Sequence, residues 1–134
     1  MTKLVDIEGI GDVYADKLTE AGITSIEDLL EKGKTPAGRK GIAEASDLSG
    51  KLILRWINMA DLFRIKGVGE EYSDLLEAAG VDTVPELAQR NPDNLHKKMA
   101  EVNAEKKLVR QTPAASKVAN WVAQAKELPR VITY

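Results

Sequence analysis

The chain contains a sequence repeat, and this repeat constrains the fold more than any other feature. Residues 7–30, IEGIGDVYADKLTEAGITSIEDLL, align without a gap with residues 65–88, IKGVGEEYSDLLEAAGVDTVPELA. Every matched pair is 58 positions apart, as Gly9 is from Gly67. A duplicated sequence indicates a duplicated structural unit. We therefore expect two copies of one unit rather than a fold in which every element is different.

The similarity continues more weakly beyond these segments, where it places Trp56 opposite Trp121. The chain has 134 residues, which is enough for one domain or for two small units that share a core. We predict a first repeat over residues 1–64 and a second repeat over residues 65–134, with one core between them.

The spacing of apolar residues predicts helices along the chain. Residues 12–21 form one amphipathic helix, in which a single face carries Val13, Tyr14, Lys17, Leu18 and Ala21. Pro36 and Pro92 suit the first turn of two further helices, because the missing N–H of proline costs little there. Residues 49–63 and 114–127 are typical of longer helices and carry the two tryptophans.

Two short patterns mark the start of further helices. Ser25 with Asp28, and Thr83 with Glu86, resemble capping boxes, in which each side chain accepts a backbone N–H of the other residue. No run of alternating apolar and polar residues indicates a strand, so the predicted fold class is all-α. The aromatic residues expected in the core are Trp56, Trp121, Tyr14 and Tyr72.

Composition excludes several classes of function. The chain has no cysteine, and His96 is its only histidine, which excludes disulfides, thiolate nucleophiles and Cys-ligated or His-rich metal sites. The sequence has neither a phosphate-binding Gly-Lys-Ser/Thr loop nor a nucleophile placed beside a base. No stretch approaches the ~18 apolar residues of a membrane helix. We therefore expect a cytoplasmic, non-enzymatic protein without metal, cofactor or membrane partner.

The two glycine-containing segments resemble the helix-hairpin-helix motif. Each has the pattern apolar-x-Gly-apolar-Gly, followed by a helix with a small residue, Ala15 or Ser73. Residues 22–29 and 80–87 are similar to a second hairpin unit, of the kind found in RecA-like recombinases and in the RNA polymerase alpha subunit. The whole chain resembles an uncharacterised family of tandem helix-hairpin-helix proteins. This resemblance implies two pseudo-symmetric helix-hairpin-helix units packed as one compact domain.

The resemblance also implies a binding site. In that superfamily the Gly-x-Gly turn exposes backbone N–H groups at a helix N-terminus, where they bind a DNA phosphate. Such contacts position a protein on DNA without reading its sequence. The residues that match this site are Gly9, Ile10, Gly11, Gly67, Val68 and Gly69.

Charge alternates along the chain, although the net charge is only −2. Residues 1–30 carry a net charge of −5 and residues 67–89 a net charge of −6, whereas residues 31–66 carry +4 and residues 90–134 carry +5. The two glycine hairpins therefore lie in acidic segments, and each is followed by a basic segment.

This alternation affects where a phosphate could bind. Asp12, Glu70 and Glu71 come directly after the glycines and would repel a phosphate at the hairpins. The basic segments offer other phosphate contacts, which are Lys34, Arg39, Lys40, Lys97, Lys98, Lys106, Lys107 and Arg110. The charges also suit acidic and basic surfaces that face each other, or helix faces that are only solvated.

Two functions follow from these observations. The first is non-catalytic, sequence-independent binding of nucleic acid, weakly and through backbone phosphates of DNA. The alternative is a protein–protein interaction or self-assembly module that keeps the helix-hairpin-helix fold without binding DNA. For the C-terminal helix, residues 114–127, we expect either closure on the first hairpin of its own chain or docking on that of another molecule.

Overall fold

The computed structural model describes residues 2–134, and these residues are helical with no β-strand among them. A short 3-10 turn, Leu4–Asp6, precedes eight α-helices. The helices are α1 Asp12–Glu20, α2 Ile26–Gly33, α3 Pro36–Ser46, α4 Gly50–Leu62, α5 Glu70–Ala78, α6 Val84–Ala88, α7 Pro92–Lys106 and α8 Ala115–Glu127. The prediction of an all-α fold is confirmed.

The helices form two compact units. The first contains the chain up to Asp61 together with Val131–Tyr134, and the second contains Leu62–Arg130. The change from one unit to the next falls three residues before the predicted boundary, and the last four residues of the chain join the first unit. The second unit has a hydrophobic cluster that includes Leu62, Ile65, Leu75, Leu76, Val81, Leu95, Met99, Val118 and Trp121.

Each unit begins with a tight turn that has the same geometry in both. Gly9 and Gly67 both have a φ of 97°, in the left-handed region that suits glycine. The N–H of Ile10 donates to the carbonyl of Ile7 at 3.0 Å, and a bond of 3.1 Å joins the matching residues of the second unit. The sequence match of the two hairpins is therefore also a match of backbone conformation.

The tryptophans lie in the core of their own units, as predicted. Trp56 on α4 is fully buried, and its ring centroid is 5.2 Å from that of Tyr14. Trp121 on α8 is buried in the same way against Tyr72, again at 5.2 Å. Each indole lies beneath the first glycine of its hairpin, Gly9 in the first unit and Gly67 in the second.

Helix α8 packs within its own unit. We expected it either to close on the first hairpin of its own chain or to dock on that of another molecule, and its Trp121 lies beneath Gly67 of the second hairpin. The helix that covers the first hairpin is α4, which carries Trp56. Each repeat therefore supplies a tryptophan helix of its own, downstream of its glycines.

Two local predictions about side chains are also corrected. Val13 falls on the same predicted face of α1 as Leu18, yet it is 69% exposed, because it lies in the first turn, beyond the part of α1 that Leu18 anchors in the core. Ser25 accepts the N–H of Asp28 as a capping residue should, at 3.0 Å. Thr83 makes no side-chain capping bond, and Glu86 accepts the N–H of Asp82 rather than that of Thr83, so neither bond of the second box is formed.

Candidate nucleic-acid interface

The middle residues of the two hairpins contribute to the core rather than to the surface. The side chains of Ile10 and Val68 are only 3% and 5% exposed. Their N–H groups are used within the turns, where they donate to the carbonyls of Ile7 and Ile65. Of the predicted hairpin residues, the glycines therefore remain at the surface: Gly9, Gly11 and Gly67 are exposed, and Gly69 is half-buried.

Gly11 and Gly69 are glycines that the fold itself does not require. Their φ angles are −86° and −118°, which other residues adopt freely. A Cβ atom built on either of them meets no heavy atom within 4 Å. Gly9 and Gly67 differ, because their φ is positive and an added Cβ would lie close to the side chains beneath them.

Both of these glycines cap a helix without supplying a side chain. Gly11 is the N-cap of α1 and Gly69 is the N-cap of α5, and neither helix has a side-chain capping bond. The first N–H groups of a helix have no acceptor within it. Among the residues that the structure describes, the N–H groups of Gly11, Asp12 and Val13 have no hydrogen-bond acceptor. These donors, together with the partial positive charge of the helix N-terminus, suit an anion.

The basic residues of the first unit are mostly engaged within the unit. Arg39 donates to the carbonyls of Gly33 and Thr133, at 3.0 and 2.7 Å, and its guanidinium lies 5.5 Å from the ring centroid of Tyr134. It therefore holds the end of the chain in place. Lys34 forms an ion pair of 2.8 Å with Glu31. Lys40 is exposed on α3.

The basic residues of the second unit fall into two groups. Lys97 and Lys98 are exposed in the middle of α7, and Lys106 is exposed at its end. Lys107 and Arg110 follow α7 and line a groove of about 480 Å³, together with Glu71 from the first turn of α5. Lys98 is about 13 Å along the helix from Lys107, at 1.5 Å per residue. The structure therefore brings Lys107 and Arg110 close to the second hairpin.

Sequence reasoning missed the residue that fixes this groove. The amide of Asn103 donates to the carbonyl of Val109 at 3.1 Å and accepts its N–H at 2.9 Å. The signal that could have found it is a change of offset, because Trp121 lies 65 positions after Trp56 whereas the glycines are 58 positions apart. The second repeat therefore contains seven additional residues between its hairpin and its tryptophan.

The pKa values of Asp82 and Glu27 are shifted in opposite directions. Partial burial and the negative charges of Glu86 and Glu77 raise the pKa of Asp82 above its ordinary value of 3.8. For Glu27, slight burial is the largest single cause and raises the pKa, but hydrogen bonds from Thr2 and from its own backbone N–H together outweigh it, so that the pKa of Glu27 is lowered. Asp82 is therefore a carboxylate whose charge is disfavoured in the folded chain.

Asp82→Asn is expected to stabilise the protein at neutral pH. A raised pKa in the folded state means that the stability linked to the protonated form is present below the ordinary pKa and is lost as pH rises through the folded pKa. The melting temperature of the variant should thus exceed that of the wild type at about pH 7, and the difference should vanish near pH 3. Thermal unfolding at several pH values checks this, and a difference that grows toward low pH would contradict it.

Two further features are absent from the described part of the chain. No group of three or more His, Asp or Glu side chains in residues 2–134 is arranged to hold a metal ion. In the same part of the chain, no helix has both the length and the apolar character that crossing a membrane requires.

Comparison with known proteins gives one family. The family described as Domain of unknown function (DUF4332) matches residues 8–128, which include both hairpins and all eight helices up to the end of α8. No solved structure matches the chain.

Proposed function

We propose that this chain, which belongs to the DUF4332 family, binds the phosphate backbone of nucleic acid without catalysis and without sequence specificity. In this proposal the two turns are hairpins of the helix-hairpin-helix type, in tandem, and the backbone N–H groups that follow Gly11 and Gly69 donate hydrogen bonds to the oxygens of DNA phosphates. The proposal includes a cytoplasmic location and a non-enzymatic role, in keeping with the lack of a nucleophile–base pair in the sequence.

The observation that carries the proposal is the pair of glycines at helix N-caps. Serine, threonine, asparagine and aspartate cap helices better than most residues, so a cap chosen for stability alone need not be glycine. Neither the φ angles nor the neighbours of Gly11 and Gly69 call for glycine. A close approach of an external group to the backbone does call for it, because any Cβ would stand in the way.

The carboxylates beside the caps set the expected strength. Asp12 and Glu71 lie in the first turns of α1 and α5 and are exposed. Each interacts favourably with its own helix N-terminus and repels a phosphate there. Binding is therefore expected to be weak and to depend on nearby cations, with a steep loss of affinity as salt rises.

The test is a titration of labelled duplex and single-stranded DNA, followed by fluorescence anisotropy at low and physiological salt. The double variant Gly11→Ser/Gly69→Ser is expected to bind at least ~10-fold more weakly, because each hydroxyl takes the N–H groups that a phosphate would use. Folding should be retained, since serine is at least as good an N-cap as glycine.

Gly41→Ser is the matched control, because an added Cβ there also meets no heavy atom within 4 Å, but Gly41 lies within α3 rather than at a helix N-terminus. It is expected to bind like the wild type. Equal affinity of the double variant and the wild type would refute the role of the caps. The absence of wild-type binding at low salt would refute nucleic-acid binding altogether.

The second candidate function is protein interaction or self-assembly, and Val13 favours it. This side chain is 69% exposed beside Gly11 and the acidic first turn of α1. An exposed valine beside a carboxylate suits a protein surface with apolar and basic groups better than it suits DNA. A mass that rises with concentration in sedimentation velocity, without DNA binding, would favour this function over the first.

A further inference from the structure

We propose that the second unit is the nucleic-acid-binding half of the chain, and that residues 107–114 supply the cations which make it so. We refer to these residues as the α7–α8 segment. The inference rests on the proposed function and adds a location to it. A phosphodiester strand at Gly69 would be contacted further by Lys107 and Arg110. At the first hairpin, Nη1 of Arg55 lies 3.1 Å from a Cβ built on Gly9, but Arg55 is already engaged in an interaction of its own.

The α7–α8 segment has a much shorter counterpart in the first unit. Helices α3 and α4 are joined by residues 47–49, whereas α7 and α8 are joined by residues 107–114. The longer connection lines the groove of about 480 Å³ that reaches Glu71, two residues after Gly69. The additional residues of the second repeat therefore line a groove into which a ligand bound at the hairpin would extend.

The segment is held in a fixed position. The side-chain amide of Asn103, on α7, hydrogen-bonds to both backbone groups of Val109. It accepts the N–H at 2.9 Å and donates to the carbonyl at 3.1 Å. Val109 and Pro113 are buried, while Lys107 and Arg110 between and beside them are exposed. The two cations thus project from an anchored connection, and little conformational entropy of the backbone would be lost on binding.

Both cations are available to an anion. Among the described residues, neither Lys107 nor Arg110 forms an ion pair, and Glu71 is the one carboxylate that shares their groove. Two positive charges therefore face one negative charge, in contrast with the acidic sequence around the hairpin. In the first unit, Arg39 and Lys34 are engaged with the end of the chain and with Glu31, and Lys40 is exposed on α3.

A matched pair of residues makes the difference between the units testable. Lys107 is the C-cap of α7 with a φ of 52°, and Asp47 is the C-cap of α3 with a φ of 58°. The two positions have the same left-handed backbone and opposite charges. Glycine relieves the strain of that conformation at either position. Only Lys107→Gly removes a cation from the groove.

The experiment compares Lys107→Gly with Asp47→Gly in the full chain. Both variants should melt at a higher temperature than the wild type. Lys107→Gly should bind labelled single-stranded and duplex DNA several-fold more weakly, with a slope of log affinity against log salt that is less steep by about 0.7–0.9. Asp47→Gly should bind at least as tightly as the wild type.

A second set of variants tests the groove independently of this backbone position. Adding Arg110→Gln to Lys107→Gly should reduce the salt slope by about 1.4–1.8 in total. Gly69→Ser should weaken binding more than Gly11→Ser does. Two outcomes would overturn this inference alone, provided that the wild type binds DNA. In the first, Lys107→Gly has the affinity and the salt slope of the wild type. In the second, Gly69→Ser and Gly11→Ser weaken binding equally. A wild type that does not bind at low salt would overturn the proposed function as well.

Discussion

Trp56→Ala is expected to lower the free energy of unfolding by about 3–5 kcal/mol. Trp56 is fully buried on α4, where its ring packs against Tyr14 and lies beneath Gly9. Truncation removes the largest buried side chain of the first unit and leaves a cavity that the close-packed turn cannot fill. Urea unfolding followed by circular dichroism measures the loss, since the fluorescence signal changes with the tryptophan itself.

Trp56→Phe separates the packing of this side chain from its polar atom. Within the described part of the chain, the buried Nε1 of Trp56 has no hydrogen-bond partner. Burying such a donor without an acceptor costs about 1–3 kcal/mol, and phenylalanine removes that cost while it keeps an aromatic ring against Tyr14. The loss for Trp56→Phe should therefore be less than half of the loss for Trp56→Ala.

One result would contradict the argument about the indole N–H. If phenylalanine is as costly as alanine, the indole N–H makes a stabilising interaction in solution and the argument from an unpartnered donor is wrong. The comparison requires that both variants keep the m-value of the wild type, which is the dependence of the unfolding free energy on urea concentration. An unchanged m-value shows that unfolding exposes the same amount of surface in each protein.

The helices could be predicted from the sequence because their signals are local. Pro36 and Pro92 begin α3 and α7, as expected from the fixed φ of proline. Gly22, after α1, adopts the positive φ that ends a helix, and the matching Gly80, after α5, does the same. Each of these signals needs only the residues within one or two turns, so no tertiary contact had to be known.

The features that could not be predicted depend on contacts between distant parts of the chain. Whether Val13 is buried depends on where the neighbouring helices end, and helical spacing does not contain that information. The placement of α8 depends on the contact between Trp121 and Gly67, which are far apart in the sequence. The role of Arg39 depends on Thr133, which is 94 positions away. For the candidate site, sequence marked the glycines and the cations, but only the fold joins Lys107 and Arg110 to Glu71.

Gly38→Ala and Gly41→Ala are expected to change stability in opposite directions, although both residues lie on α3. A Cβ at Gly38 would lie far inside van der Waals contact with the carbonyl oxygen of Lys32 and 3.2 Å from its carbonyl carbon. These are backbone atoms, which cannot turn aside as the end of a side chain can. We expect a loss of about 1–3 kcal/mol or more, because α3 must move away from α2.

Gly41→Ala provides the control on the same helix. Gly41 is exposed within α3, and an added Cβ there meets no heavy atom within 4 Å. Alanine in place of glycine inside an exposed helix stabilises by about 0.5–1 kcal/mol. Urea unfolding of both variants checks the pair. Because helix propensity favours alanine at both positions, a loss confined to Gly38→Ala would isolate the close approach of α2 and α3 as its cause. A gain in both variants would mean that the two helices can separate at little cost.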